Sequence, residues 1–184
     1  MVVSHLVLGG ARSGKSRFVV DRHAADARVA FVATAHAGDG DMADRIARHR
    51  ADRPRHWLTV EEPYDVVARL RELAGRVDTI VLDCLTVWVA NRLLRGDPDA
   101  AILSGADELA RVVAERRCAL TLVSNEVGEG VHPPTTDGLR FRDLLGLVNQ
   151  RVAAACDRVT LMVAGIPVVV KAPRVEGDVG VQTA

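Results

Sequence analysis

A mainly parallel α/β sheet with helices on both faces, built around a phosphate-binding loop, is the fold class that this sequence predicts. Three observations carry it. Short apolar runs rich in Val, Leu and Ile alternate with amphipathic stretches along the chain. The first of these runs is followed by Gly9-Gly10-Ala11-Arg12-Ser13-Gly14-Lys15-Ser16, which fits G-x-x-x-x-G-K-[ST] at every position. The chain has 184 residues, 48% of them apolar and 26% charged, which suits one domain with a sizeable core.

Taken in order, residues 2–8 form an apolar run too short for a helix, hence a buried strand. After the loop, Arg17 to Ala27 has helical spacing, with Phe18, Val19 and Val20 a turn and a half before Ala24 and Ala25. Arg28 to Ala35 is a second buried strand. Gly38-Asp39-Gly40-Asp41 is turn chemistry, and Asp41 can cap a helix over Met42 to Ala51 that Arg53-Pro54 stops. Trp57 to Glu61 is a short strand and Tyr64 to Ala74 a helix. Asp78 to Cys84 is a third strong strand, followed by helices over 85–94 and 100–116. Cys118 to Ser124 is a fourth. A Gly- and Pro-containing loop over 125–137 precedes a helix to Cys156. Arg158 to Ala164 and Pro167 to Lys171 flank a Gly165-Ile166 turn as a hairpin at the sheet edge. The expected organisation is one domain over residues 1–171 and a polar, loose tail over 172–184.

Composition narrows the function. Formal net charge is zero, so no global field recruits nucleic acid or an anionic membrane, and neither is expected as a partner. No apolar stretch reaches bilayer length. Cys84, Cys118 and Cys156 are widely spaced and form no C-x-x-C pair, which suits buried thiols in a reducing compartment; the expected location is the cytoplasm.

The loop carries the strongest chemistry. Gly9 and Gly14 let it fold back and aim successive backbone N–H groups inward as an anion nest. The helix N-terminus adds its partial positive charge, Lys15 reaches the β/γ-phosphates, and the Ser16 hydroxyl is placed to ligate Mg²⁺. Asp83 ends the run I-V-L-D beside this loop, where a carboxylate can hold Mg²⁺ directly or through water; the alternative is a strand-terminal Asp capping the next helix.

Two further constellations stand out. In the helix over 42–51, His49 falls on the apolar stripe with Met42 and Ile46, while Arg45, Arg48 and Arg50 project to either side. It is either a core histidine satisfied by one hydrogen bond or an interfacial, neutral nucleophile toward phosphorus ringed by guanidinium groups. The arginines are either a solvated face or phosphate contacts. Asn125-Glu126-Val127-Gly128 follows a buried strand, where α/β sheets place ligand-binding groups, although a solvated loop would read the same.

With these pieces the chain resembles the bifunctional adenosylcobinamide kinase/adenosylcobinamide-phosphate guanylyltransferase family of cobalamin biosynthesis. The resemblance runs from Leu6 to Lys171. It rests on G-G-A-R-S-G-K-S, on R-I-x-x-H-x-x-x-R-P-x-H-W at Arg45 to Trp57, on L-D-C-L-T at 82–86, on S-N-E-V-G at 124–128 and on V-N-Q-R at 148–151. The second motif is the specific one.

The resemblance implies a P-loop NTPase fold with a RecA-like sheet, assembled as a homotrimer. It implies two reactions: phosphorylation of adenosylcobinamide by ATP or GTP, then transfer of GMP from GTP to adenosylcobinamide phosphate through a guanylyl-histidine, releasing pyrophosphate. The modified histidine matches His49. Nucleotide contacts carry over to the Gly9–Ser16 loop, to Thr34, Ala35 and His36, to Arg50, Ala51, Asp52 and Arg53, to Glu61 and to Asp83, with Mg²⁺ at Ser16 and Asp83. Some relatives have Glu in place of Asp83, and the shorter arm favours a water-mediated contact. The rival reading is a single-function P-loop kinase with a structural His49. A GTPase-type switch is disfavoured by the lack of a guanine-reading N-K-x-D motif.

Overall fold

The computed structural model describes residues 3–23, 27–35, 54–130 and 132–173. The expected helix over 42–51, the Gly38–Asp41 turn and the tail beyond residue 173 lie outside the described residues.

Among the described residues seven strands form one sheet: β1 (Ser4–Gly9), β2 (Val29–Ala33), β3 (Leu58–Glu61), β4 (Thr79–Asp83), β5 (Ala119–Val123), β6 (Arg158–Val163) and β7 (Ile166–Lys171). Their order is β3-β2-β4-β5-β1-β6-β7, all neighbours parallel except the antiparallel pair β6–β7. Five helices are described: α1 (Lys15–Asp21), α2 (Val66–Leu73), α3 (Leu85–Leu94), α4 (Asp99–Glu115) and α5 (Thr136–Ala155). This is the expected α/β class with its edge hairpin. The strand bearing the glycine loop and the strand ending in Asp83 are separated by β5, as in P-loop NTPase sheets.

Strand alternation explains the layers. Leu6, Ala30, Val32, Ile80, Leu82, Leu120 and Leu122 face the buried sides of α2 to α5, where Leu70, Trp88, Leu109 and Leu145 are almost wholly buried. Each such leucine contributes roughly 2 kcal/mol by leaving water. The opposite residues, Val7, Phe31, Val81, Val123 and Met162, pack with Val19 of α1 and with Trp57. The indole of Trp57 stacks on Phe31, ring centroids 6.5 Å apart.

Three expectations need correction. The first helix begins at Lys15, not Arg17, because Gly14 (φ 96°) serves as its N-cap directly out of the loop, and it ends at Asp21. The edge turn is Ala164-Gly165, both at positive φ (50° and 83°), so Ile166 already belongs to β7. Paired positive φ values match the twist of a two-residue hairpin, and Ala at the first position hides that signal in the sequence. Of the three free cysteines only Cys156 is fully buried, whereas Cys84 and Cys118 are partly exposed.

Candidate functional site at the carboxyl edge of the sheet

The strand registers set Glu61, Ala33, Asp83, Val123 and Val7 in one row, with Gly9 two residues beyond Val7. Every site residue of the described part therefore stands at the carboxyl edge of the parallel strands, where such sheets bind ligands. At about 4.8 Å per strand, Asp83 lies roughly 10 Å from β1 and Glu61 roughly 19 Å from it.

The loop is held in shape by its own backbone. Ser13 N–H donates to Gly10 O at 3.3 Å, Phe18 N–H to Gly14 O at 3.0 Å, and Gly165 N–H of the edge turn to Ser13 O at 3.0 Å. No side chain caps α1. Gly9, at φ 150°, has no room for a side chain: a Cβ there would sit 2.6 Å from Ser13 Oγ and 2.7 Å from Met162 O. Lys15 is nearly buried, and its Nζ donates to Gly9 O at 2.8 Å and Gly10 O at 2.7 Å. The ammonium is thus drawn over the loop whose amides it would help to present to a phosphate. Ser16 is half-buried, while Ala11 and Arg12 are exposed.

Asp83 ends β4 half-buried, followed by a cis peptide to Cys84. Burial first, and the Asp83 charge second, push the Cys84 thiol up to about 11. Thr34 is wholly buried: its N–H donates to Asp83 O at 3.0 Å, its hydroxyl bonds Cys84 on both sides, and its carbonyl accepts from Asn91 Nδ2 at 2.8 Å. Its hydroxyl is committed to the scaffold that positions Asp83. Ala35 is half-buried beside it and Glu61 is exposed. His36, His49, Arg50, Ala51, Asp52 and Arg53 lie outside the described residues.

Asn125 to Gly128 sits against the loop, with Glu126 N–H donating to Gly9 O at 3.2 Å and the Glu126 carboxylate accepting from Gly128 N–H at 3.1 Å. Two buried side chains wire this segment in place. Thr86 Oγ1 accepts from Asn125 N–H at 2.8 Å, and Asn149 Nδ2 donates to Asn125 O at 3.1 Å. Sequence reasoning gave Thr86, Asn91 and Asn149 no role. The available signal was a short polar side chain on the apolar stripe of α3 or α5, which is costly to bury unless it bonds a fixed partner.

Among the described residues no cluster of three or more His, Cys, Asp or Glu could hold a metal. Ser16 and Asp83 are nonetheless hard oxygen donors of the kind Mg²⁺ takes. This ion needs one or two protein oxygens and completes its shell with phosphates and water, so the donor set fits in kind. No helix among the described residues is long and apolar enough to cross a membrane.

Comparison with known proteins matches residues 5–170 to the family described as cobinamide kinase / cobinamide phosphate guanyltransferase. The chain is 47% identical over 169 residues to a bifunctional adenosylcobalamin biosynthesis protein of Pseudomonas aeruginosa, covering 90% of this chain and 96% of that one. It is 40% identical over 178 residues to a protein so described from Salmonella typhimurium and 36% identical to one from Escherichia coli, covering in each case 90% of this chain and 98% of the relative.

Proposed function

The chain belongs to the cobinamide kinase / cobinamide phosphate guanyltransferase family, and from that premise we propose that one nucleotide site at the carboxyl edge of the sheet serves both reactions. The protein is a bifunctional enzyme of adenosylcobalamin biosynthesis, a cobinamide kinase and cobinamide phosphate guanyltransferase using ATP or GTP. What carries this reading is a family match over residues 5–170, the span that contains both the glycine loop and the Arg45–Trp57 motif.

In the kinase step the loop amides and Lys15 hold the β- and γ-phosphates while the substrate hydroxyl attacks the γ-phosphorus. The nucleoside diphosphate leaves and the hydroxyl proton passes to a base. Glu126, beside Gly9, and Asp83 are the carboxylates in reach of that edge. Ser16 and Asp83 would hold Mg²⁺, which when bound neutralises charge building on the transferred group.

In the second step a neutral His49 nitrogen attacks the α-phosphorus of GTP, and pyrophosphate leaves from the same nest. A phosphate oxygen of adenosylcobinamide phosphate then displaces the histidine to give adenosylcobinamide-GDP. Thr34, Ala35, His36, Glu61 and Arg50 to Arg53 complete the nucleotide contacts. The row from Val7 to Glu61 supports this, since it gives an extended ligand a continuous edge to lie along.

We further propose a cytoplasmic homotrimer that binds no nucleic acid. Free cysteines and zero net charge support the location and the lack of nucleic acid. The exposed, apolar β7 supports assembly: Ile166, Val168, Val169 and Val170 face solvent in the single chain.

GTP labelled at the α- or at the γ-phosphate tests the transferase half. Acid-labile, alkali-stable label on the denatured chain is expected from the α position only and is abolished in His49→Ala. An unlabelled wild-type chain across Mg²⁺ concentrations would leave only the kinase.

A further inference from the structure

The sheet face beneath α1 is apolar near the loop but turns polar toward the amino ends of the strands. His5, Thr121 and Arg158 sit at one register level on β1, β5 and β6, with Thr160 two residues above Arg158. His5, Thr121 and Thr160 are buried where the alternation calls for Val or Ile. His5, Thr121 and Arg158 line a cavity of about 270 Å³, roofed by Phe18, Arg22 and His23 of α1 and the residues just after it, while the Thr160 hydroxyl is hydrogen-bonded to His5 Nε2 at 2.8 Å. Buried polar atoms cost stability unless they bond something, so two nitrogens beside this space that bond nothing, on Arg158 and His23, need an explanation.

The charge is one-sided. No described residue lining the cavity is acidic. Among the described residues the carboxylates nearest in sequence are engaged elsewhere: Asp157 with Ser4 and Arg116, Asp78 with Arg28, Asp21 with Arg17. Arg22 and Arg158 form no ion pair among the described residues; Arg22 lies over the Phe18 ring, 5.1 Å from its centroid. Arg158 Nε and His23 Nε2 are buried without a hydrogen-bond partner. Both guanidinium groups are close enough to His5 to help burial push its imidazole down to about 4. Two guanidiniums with no acidic partner among the described residues, beside buried, unpartnered nitrogens, make a gap suited to an anion, and Phe18, Val7 and Val19 supply an apolar wall next to it.

We propose that this cavity is a second anion site, distinct from the glycine loop, that takes a small phosphate ester with a flat apolar body. Arg22 and Arg158 grip the phosphate, and the Phe18 face holds the body. The site lies toward the amino edge of the sheet, with His5 roughly 13 Å from the loop along β1. Helix α1 joins the two, since it starts at Lys15 and Arg22 is its C-cap.

Phenyl phosphate is the probe, titrated into the full ¹⁵N-labelled chain while the imidazole resonances of His5 and His23 are followed. Saturable shifts at both are expected, with the same Kd in Lys15→Ala, where the loop is disabled. Arg158→Gln and Arg22→Gln should each weaken binding at least tenfold, and Arg158→Lys should recover part of the loss. Arg22 is exposed at the helix end, so its variant carries the test if Arg158→Gln fails to fold. Shifts confined to loop residues, or unchanged affinity in Arg22→Gln, would overturn the site.

Discussion

Thr34 and Cys84 clasp each other: the Thr34 hydroxyl donates to the Cys84 carbonyl and accepts from the Cys84 N–H, each at 2.8 Å. The clasp ties the end of β2 to the residue after Asp83, so the carboxylate proposed for Mg²⁺ stands on a fixed backbone. Thr34→Val keeps the shape and removes both bonds, leaving a donor and an acceptor unpaired. A loss of about 2–4 kcal/mol is expected, read from the midpoint of urea unfolding.

The loop leaves no room at Gly9. Gly9→Ala puts a Cβ against Ser13 Oγ and the Met162 carbonyl at a φ of 150°. Overpacking and backbone strain together should cost roughly 3 kcal/mol. Gly146→Ala is the contrast: it lies within α5 with nothing within 4 Å of an added Cβ, and the same methyl there should stabilise by up to about 1 kcal/mol. Equal effects at the two positions would contradict the loop geometry.

Acid should destabilise the fold through His5. Its pKa is about 4 in the folded chain and 6.5 in the unfolded one, held down by burial and then by Arg22 and Arg158. Between those values the unfolded chain binds more protons, so stability is complete above pH 6.5. It falls as pH drops toward 4, by about 3 kcal/mol for this group. His23, shifted in the same direction, adds to the slope. Urea titrations at pH 7 and pH 5 should show a smaller difference in His5→Gln than in the wild type.

Oligomerisation is tested at β7. Val169 is 62% exposed in the single chain on an edge strand that is apolar on both faces. The proposed trimer should scatter light as three chains in the wild type, and Val169→Glu should shift it to monomer with little change in helix content. A wild-type monomer at micromolar concentration would sink the trimer.

Lys15 is expected to be indispensable for both reactions, because the proposed mechanism places both on the same phosphate nest. Lys15→Ala should lower kinase and transferase turnover together by two orders of magnitude or more. Loss of one activity alone would mean that the two reactions use separate phosphate sites.

Much of the molecule was legible in its residues. The apolar runs at 28–35, 78–84 and 118–124 read as buried strands, their alternation with helices pointed to a parallel sheet, and each one formed within a residue or two of its expected bounds. Gly9 to Ser16 announced the loop because its chemistry is local: a nest needs glycines at set spacing, whatever surrounds it. The edge hairpin was legible too, but its turn was shifted by one residue, since Ala164 adopts a positive φ that its side chain does not advertise.

By itself, then, the sequence determined what local backbone and periodicity control: the α/β class, the phosphate loop and the family to which its motifs belong. Only the tertiary structure decided what depends on residues distant in the chain. Thr34 and Cys84 meet because β2 and β4 are neighbours, Thr86 and Asn149 reach Asn125 from two different helices, and Lys15 closes over Gly9. Likewise His5, Arg158 and Arg22, unremarkable as single residues, acquire a common field only when β1, β6 and α1 enclose one cavity. A hydrogen bond or a shared charge depends on distances of a few ångströms, and across chain separations as long as 155 residues those distances are set by packing alone.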